Sequence, residues 1–333
     1  MISAALMGYW IRRFLLEHLI EERNLARNTQ LSYRDTMLFL MTFAASSSGK
    51  TVDKLTTDHV SADCVRLFLV DLEQQRQCSI STRNQRLSAI HALARFVGEH
   101  SPEHIAWCAA IRAIPYKRTA RPTMPYLEKP EIDALLASPD RQTAQGRRDH
   151  ALLQFLYNSG ARAEEAARLK IMDLDLTPPA SVRLIGKGNK ERRCPLWQAT
   201  VLELQALITN RDPAEPVFRN RCRQPITRYG IHTMVERHVK SAGIHVPSLR
   251  KKRVSPHTIR HATAVHLLRS GVDINTVRAW LGHVSLDTTN IYAEIDLETK
   301  AKALAHCEIR DGGTKPHKSW LKDPDLMKFL RSL

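Results

Sequence analysis

No CxxC pair occurs in the chain, and its six cysteines (Cys64, Cys78, Cys108, Cys194, Cys222 and Cys307) stand far apart, without metal-ligand spacing among them and the histidines. A disulfide framework and a metal site are therefore not expected; reduced, buried and chemically silent thiols are. A P-loop, a GxGxxG fingerprint and any internal repeat are also absent, which removes the common nucleotide-binding signatures and the solenoid folds. Long hydrophobic runs are missing too. The apolar stretch from Met1 to Tyr9 is short, has no basic region before it and runs into Arg12 and Arg13, so it fits neither a signal peptide nor a membrane span. A cytoplasmic protein is the expectation.

Acidic residues are the last shortage: 34 Asp and Glu face 50 Lys and Arg, for a net charge of +16 and a pI near 9.8. Such an excess favours a polyanionic partner through counterion release, and nucleic acid is the first class to consider. It is unevenly placed, with 12 basic and 11 acidic residues in positions 1–110 but 38 and 23 in positions 111–333. With 43% hydrophobic and 25% charged residues and no low-complexity tract, the composition is that of a folded chain. At 333 residues it is long enough for two domains, each with its own core.

From Ile11 to Val97 apolar residues recur at helical spacing, as in Tyr33, Met37, Leu38, Leu40 and Met41 and again in Leu87, Ile90, Leu93 and Ala94. Four or more helices are expected, with starts at Asn28 or Thr29, at Thr57 or Asp58, and at Ser79 or Ser81. The segment from Pro115 to Pro125 holds three prolines and three basic residues without periodicity, the pattern of an extended linker able to lie along a DNA backbone. Beyond it, helices are expected at Lys129–Ala137 and around Ala151–Tyr157, the latter stopping at Gly160. Val182–Ile185 and Arg192–Leu196 read as strands joined by a turn over Gly186–Glu191, a β-hairpin with Lys187 at its tip. Helical signals then resume, with Ser255-Pro256 as cap and first-turn proline and Gly271 as a stop.

Three segments carry candidate chemistry. In Ser255-Pro-His-Thr-Ile-Arg-His261, His257, Arg260 and His261 stand at i, i+3 and i+4 and share one face at a helix's positive end. Backbone N–H groups and a guanidinium there suit a phosphate. Upstream, Gly160 ends one helix, Arg162 starts the next, and Glu165 lies one turn on, where it can hold Arg162. Downstream, Trp280-Leu-Gly-His283 is followed nine residues later by Tyr292.

In order and spacing these segments resemble the tyrosine recombinase, or phage integrase, family. Its marks are G-x-R-x-x-E, a lysine in a β-hairpin turn, H-x-x-R-H, and L-G-H with a tyrosine nine residues on. Here they read Gly160-Ala-Arg162-Ala-Glu-Glu165, Lys187, His257-Thr-Ile-Arg260-His261, and Leu281-Gly-His283 with Tyr292. Asn28–Tyr33 and Ser81–Ile90 look like the family's helical core-binding domain. Departures are Ala163-Glu164 in place of an apolar pair and Ala293-Glu294 where threonine and histidine are frequent; neither removes a catalytic group.

The resemblance implies a multidomain, mainly α protein of the simple two-domain type. It would comprise a helical core-binding (SAM-like) domain over 1–114, a linker over 115–125, an α+β catalytic domain with a small β-sheet over 126–311 and a tail over 312–333. It further implies that Tyr292 is the nucleophile and that Arg162 and Arg260 bind the phosphate. Lys187 would protonate the leaving oxygen, His257 would accept the tyrosine proton or hold the phosphate, and His283 would add a hydrogen bond. Glu165 and His261 would support them. Double-stranded DNA is the implied partner, with a homotetramer on paired sites or partner recombinases of the same family, and no cofactor or membrane. Arg83, Arg86 and Arg95, with Lys117, Arg118 and Arg121 of the linker, are candidates for contacting DNA; a shared face for the first three is an expectation from spacing. The tail pattern Trp320-Leu321 and Leu326–Leu330 fits either a helix packed on its own domain or one exchanged between protomers. A type IB topoisomerase, which reseals the same strand, and a catalytically idle DNA-binding protein are the rival readings.

Overall fold

The chain divides into two compact units, Met1–Pro122 and Thr123–Leu333, of which the computed structural model describes residues 6–119 and 125–282. The first unit is helical. Helix α1 (Met7–Arg13) runs on into a π-helical stretch, Phe14–Glu22, followed by α2 (Arg27–Ser48), α3 (Ala62–Gln74), α4 (Ile80–His100) and α5 (Ile105–Arg112). Their apolar stripes meet in one core that contains Phe14, Leu40, Phe68, Leu87 and Phe96. Leu87, Ile90, Leu93 and Ala94 are all buried as their spacing requires, whereas Leu38 is 61% exposed. At about 100° per residue it falls outside the stripe that Met37, Leu40 and Met41 share.

Helix starts follow the capping rule in part. Ser79 caps α4, its Oγ accepting from the Thr82 amide at 3.2 Å. Helix α2 instead begins at Arg27 after an extended Ala26, not at Asn28 or Thr29. Helix α3 is capped by Ser61, whose Oγ accepts from the Cys64 amide at 3.2 Å. Thr57 and Asp58 lie in the preceding turn, where His59 Nδ1 accepts from the Thr56 amide at 3.1 Å. The start of the proline-containing segment is fastened to α4: the Lys117 amide donates to Asn84 Oδ1 at 3.1 Å, and Asn84 Nδ2 donates to Lys117 O at 2.8 Å.

The second unit opens with α6 (Lys129–Ala137), α7 (Ala144–Ser159) and α8 (Ala163–Arg168). An antiparallel sheet of β1 (Leu174–Asp175), β2 (Ser181–Ile185) and β3 (Glu191–Pro195) follows, in that spatial order. Helices α9 (Gln198–Ile208), α10 (Arg228–Ala242), α11 (Pro256–Arg269) and α12 (Ile274–Leu281) complete the described part. The β2–β3 hairpin is the expected one, its register running from Ser181 opposite Pro195 to Ile185 opposite Glu191. Gly188 (φ 73°) and Asn189 (φ 58°) supply the left-handed residues of its turn. Strand β1 was not expected; two residues are too few to show a period.

A core of Leu152, Phe155, Val182, Leu184, Phe218 and Val235 lies between helices and sheet. Helix α11 starts at Ser255-Pro256 as read from sequence, and Thr263 Oγ1 donates to Tyr157 O at 2.7 Å, fixing α11 on α7. Gly271 (φ 87°) lies two residues past the last residue of α11.

The thiols correct one expectation. Cys108 and Cys194 are buried and Cys64 and Cys78 half-buried, but Cys222 is exposed, in a turn where Asn220 Oδ1 accepts from its amide at 2.9 Å and no core is at hand. The described cysteines are free, and Cys307 lies outside the described residues. No helix among the described residues is long and apolar enough to cross a membrane. Two units, mainly helical, with one small sheet in the second, match the fold class read from sequence.

Candidate active site

Gly160 closes α7 in the left-handed region (φ 58°), and a Cβ there would lie 2.5 Å from Leu281 Cδ2. That reversal sets Arg162 at the N-cap of α8. Its amide donates to Glu165 Oε2 and its Nη1 to Glu165 Oε1, both at 2.8 Å, so the i, i+3 pair read from sequence is made twice over. The Arg162 side chain is 33% exposed while that of Glu165 is 3% exposed. A buried acid thus holds a cation whose edge reaches solvent.

Glu165 has a second partner. Arg192, on β3, donates from Nη1 to Oε1 at 2.9 Å and from Nη2 to Oε2 at 2.7 Å, a bidentate pair. Burial alone would raise the Glu165 carboxyl, but the Arg192 fork, followed by the Arg162 amide and guanidinium, outweighs it and brings the pKa down to about 2. The same Arg192 donates from Nε to Trp280 O at 2.9 Å.

The hairpin brings Lys187 to this place through its backbone. A Cβ on Gly186, the residue before it, would lie 3.1 Å from Glu165 Oε1 and 3.7 Å from Arg162 Nη1. Lys187 begins the turn that follows.

Arg260 approaches from α11 and is 3% exposed. Its Nη1 donates to Gly160 O and its Nη2 to Leu281 O, each at 2.6 Å. One guanidinium therefore joins the C-terminal ends of α7 and α12, where helix carbonyls favour a cation. His257, one turn earlier, is exposed at its edge in a crowded, cation-rich place. Partial burial, then the charges of Arg260 and Arg162, hold it below the usual histidine range. At neutral pH its imidazole is therefore uncharged and able to accept a proton.

His261 is pushed down to about 4 by burial, then by His257 and Arg260. Because the unfolded imidazole titrates near 6.5, the unfolded chain takes up the proton first. This contribution to stability is complete above about 6.5 and is lost as pH falls through about 4. A His261→Asn variant is expected to lose melting temperature less steeply than wild type between those pH values. Equal slopes for the two proteins would remove His261 as the source.

Arg162, Glu165, Gly186, Arg192 and the α12 end thus converge, with Arg260 and His257 alongside. A groove of about 780 Å³ opens between the hairpin and α12, lined by Arg162, Lys190, Arg192, Arg193 and Arg278 and by one acid, Glu191. Such a surface suits an anionic backbone. His283 and Tyr292 lie outside the described residues, as does the tail pattern from Trp320 to Leu330.

The sequence reading did not single out Arg192. A signal was present: Arg192 stands opposite Leu184 and in phase with buried Cys194, and a charged residue on the inward phase of a strand needs a buried partner. Trp280 was read only as part of its motif; its indole Nε1 donates to Asn158 O at 3.2 Å.

In the first unit Arg83, Arg86 and Arg95 do not form one exposed face, a correction to the expectation from spacing. Nine residues at about 100° turn Arg95 half a circle from Arg86. Arg83 is 6% exposed and donates to Pro115 O at 3.0 Å. Arg86 lies over the Phe39 ring at 4.6 Å, a ring that Arg76 also meets at 4.5 Å. Arg95 is exposed, as are Lys117 and Arg118. Lys117 pairs with Glu73 at 2.8 Å, and Arg121 lies outside the described residues.

Comparison with known proteins identifies the family of the chain. The phage integrase family profile matches residues 125–298, and the phage integrase N-terminal SAM-like domain profile matches residues 11–99. The provisionally named integrase/recombinase y4rC of Sinorhizobium fredii is 36% identical over 335 residues, covering 100% of both chains. The tyrosine recombinase XerC of Pelobacter propionicus is 32% identical over 297 residues, 86% of this chain and 91% of that one. Among solved structures, the Tn1549 transposon integrase in complex with a circular intermediate DNA shares the fold with a TM-score of 0.67 at 16% identity, over 89% of this chain and 99% of that one. The XerH recombinase bound to its difH substrate gives 0.63 at 21% identity, over 86% and 81%. The chain belongs to the phage integrase family of tyrosine recombinases.

Proposed function

We propose that this chain cuts and rejoins double-stranded DNA at specific sites through Tyr292, in the service of a mobile element. The observation that carries the reading is the convergence of Arg162, clamped by a buried carboxylate and lining a basic groove, with the Lys187 turn and with His257 and Arg260 of α11. A phosphodiester gathers charge on its non-bridging oxygens as it is attacked, so preorganised cations bind the transition state better than the substrate. Arg162 and Arg260 fill that role, with His283 adding a hydrogen bond.

An unperturbed tyrosine has a pKa of roughly 10 and is a weak nucleophile at neutral pH. His257 takes the phenol proton, the Tyr292 oxygen bonds to phosphorus, the bond to the 5′-oxygen breaks, and Lys187 protonates that oxygen. A 5′-phosphate-free hydroxyl end and a 3′-phosphotyrosyl ester result. Attack by the 5′-hydroxyl of another strand reverses each transfer and frees Tyr292, with no energy supplied from outside. Strand exchange calls for several copies on paired sites, four if each cuts one strand, in the cytoplasm where the nucleoid lies.

The reading is tested with supercoiled DNA bearing two copies of the sequences that flank the gene. Rearranged circles are expected. Relaxation without rearrangement would point to a topoisomerase, and binding without either product to an idle DNA binder.

A further inference from the structure

Arg192 belongs to no chemical step of the reaction, yet three connections pass through it. Its Nη1 and Nη2 fork grips Glu165, 27 residues earlier in the chain, and its Nε holds Trp280 O, 88 residues later. The third connection is steric. Gly282 turns the chain in the left-handed region (φ 65°), and a Cβ there would lie 3.0 Å from Arg192 Cδ, so the backbone passes directly over the arginine stem. The next residue is His283, and Tyr292 follows nine residues on. Cys194, in phase with Arg192 on β3, directs its Sγ to the same Trp280 O at 3.3 Å.

We propose that Arg192 is a positioning residue that couples the phosphate-holding Arg162 to the end of α12 at Trp280 and Gly282, from which the chain runs on to His283 and Tyr292. The inference rests on the recombinase reading for its catalytic consequence, but the coupling itself is a statement about two ends of one buried side chain. Glu165 serves two guanidinium groups at once, and each carboxylate oxygen accepts one N–H from Arg192. While Arg192 occupies it, Glu165 bonds the Arg162 guanidinium through Nη1, and the Arg162 side chain lines the groove. Without Arg192 the acid is free to turn and draw Arg162 away from the groove. The same loss removes the donor to Trp280 O and loosens the last turn of α12. The side chains of Arg192 and Glu165 are 8% and 3% exposed, so solvent does little to replace the lost contacts.

A lysine cannot substitute. Its ammonium is a point charge without the planar fork, and it cannot grip both carboxylate oxygens and the Trp280 carbonyl together.

The test uses full-length wild type, Arg192→Gln and Arg192→Lys, with a duplex carrying the sequences that flank the gene. Single-turnover formation of the protein–DNA adduct is measured at saturating DNA, together with DNA affinity, melting temperature and amide hydrogen exchange over residues 276–283. Both variants are expected to lose roughly tenfold to hundredfold in adduct formation. DNA affinity should stay within about threefold of wild type in Arg192→Lys, which keeps the groove charge, and in Arg192→Gln, which removes one, should fall far less than adduct formation. Exchange should accelerate at the α12 end. In a cycle with Glu165→Gln, the double variant should be no worse than the poorer single variant, because the pair acts as a unit.

Adduct formation near the wild-type rate in Arg192→Gln would overturn the proposal. So would multiplicative losses in the cycle, or a loss that follows melting temperature across the variants. If wild type itself forms no adduct, the recombinase reading is what fails. Exchange then decides the coupling alone: acceleration at residues 276–283 sustains it and unchanged exchange ends it.

Discussion

Arg162→Ala is expected to slow covalent cleavage by roughly a hundredfold or more, the loss typical of removing one preorganised donor to a developing oxyanion. Its position explains why so much rests on one side chain. A solvated arginine would have to be ordered for each turnover, whereas Glu165, itself buried and gripped by Arg192, keeps Arg162 at the groove in advance. Binding should survive, because the groove also offers Lys190, Arg193 and Arg278 to the DNA backbone. A single-turnover assay at saturating DNA separates the two quantities. Cleavage near the wild-type rate would remove Arg162 from the reaction, and loss of binding alone would make it a backbone contact.

Arg260→Ala is expected to fail differently, losing cleavage and fold integrity together. Arg260 is 3% exposed and supplies a charged donor to Gly160 O and Leu281 O at the ends of two helices. Withdrawing a hydrogen-bond donor from a buried carbonyl costs about 1–3 kcal/mol, and two carbonyls are affected. For a domain of this size, each kcal/mol lowers the melting temperature by roughly 2–4 °C. Thermal unfolding should therefore show a drop of several degrees in Arg260→Ala and little change in Arg162→Ala, whose side chain is 33% exposed. Equal melting temperatures for both would mean that the Arg260 contacts do not hold α7 and α12 together.

The contrast between these arginines marks how far the sequence could be read. Features set by a few neighbouring residues were legible: Ser255-Pro256 as a helix start, Gly160 as a stop, the Gly186–Glu191 turn, and the Arg162–Glu165 pair one turn apart. Each depends on local capping or turn geometry, which leaves its mark within about four residues. What depended on distant partners was not legible. His257 and Arg260 share a helix face by spacing, yet one is exposed and the other almost wholly buried, because Gly160 and Leu281 meet α11 only in the fold.

Arg83 illustrates the same limit in the first unit. As a basic residue on a helix it read as a DNA contact, but its nearest acceptor outside its own helix is Pro115 O, 32 residues away, and it is turned inward to hold the start of the linker. Arg192 is the converse. It read as an ordinary strand residue; its inward phase called for a buried partner, but which partner, and hence its place at the centre of the site, came only with the approach of α8 and α12 to β3.

The central claim is that Tyr292 joins covalently to DNA, and one measurement meets it directly. Wild type and Tyr292→Phe are incubated with DNA carrying the sequences that flank the gene, denatured in detergent and examined for protein attached to a DNA 3′ end. An adduct in wild type alone, with a nucleotide left on Tyr292 after nuclease digestion, is the expected result. Adducts in both proteins, or tight binding with an adduct in neither, would contradict it.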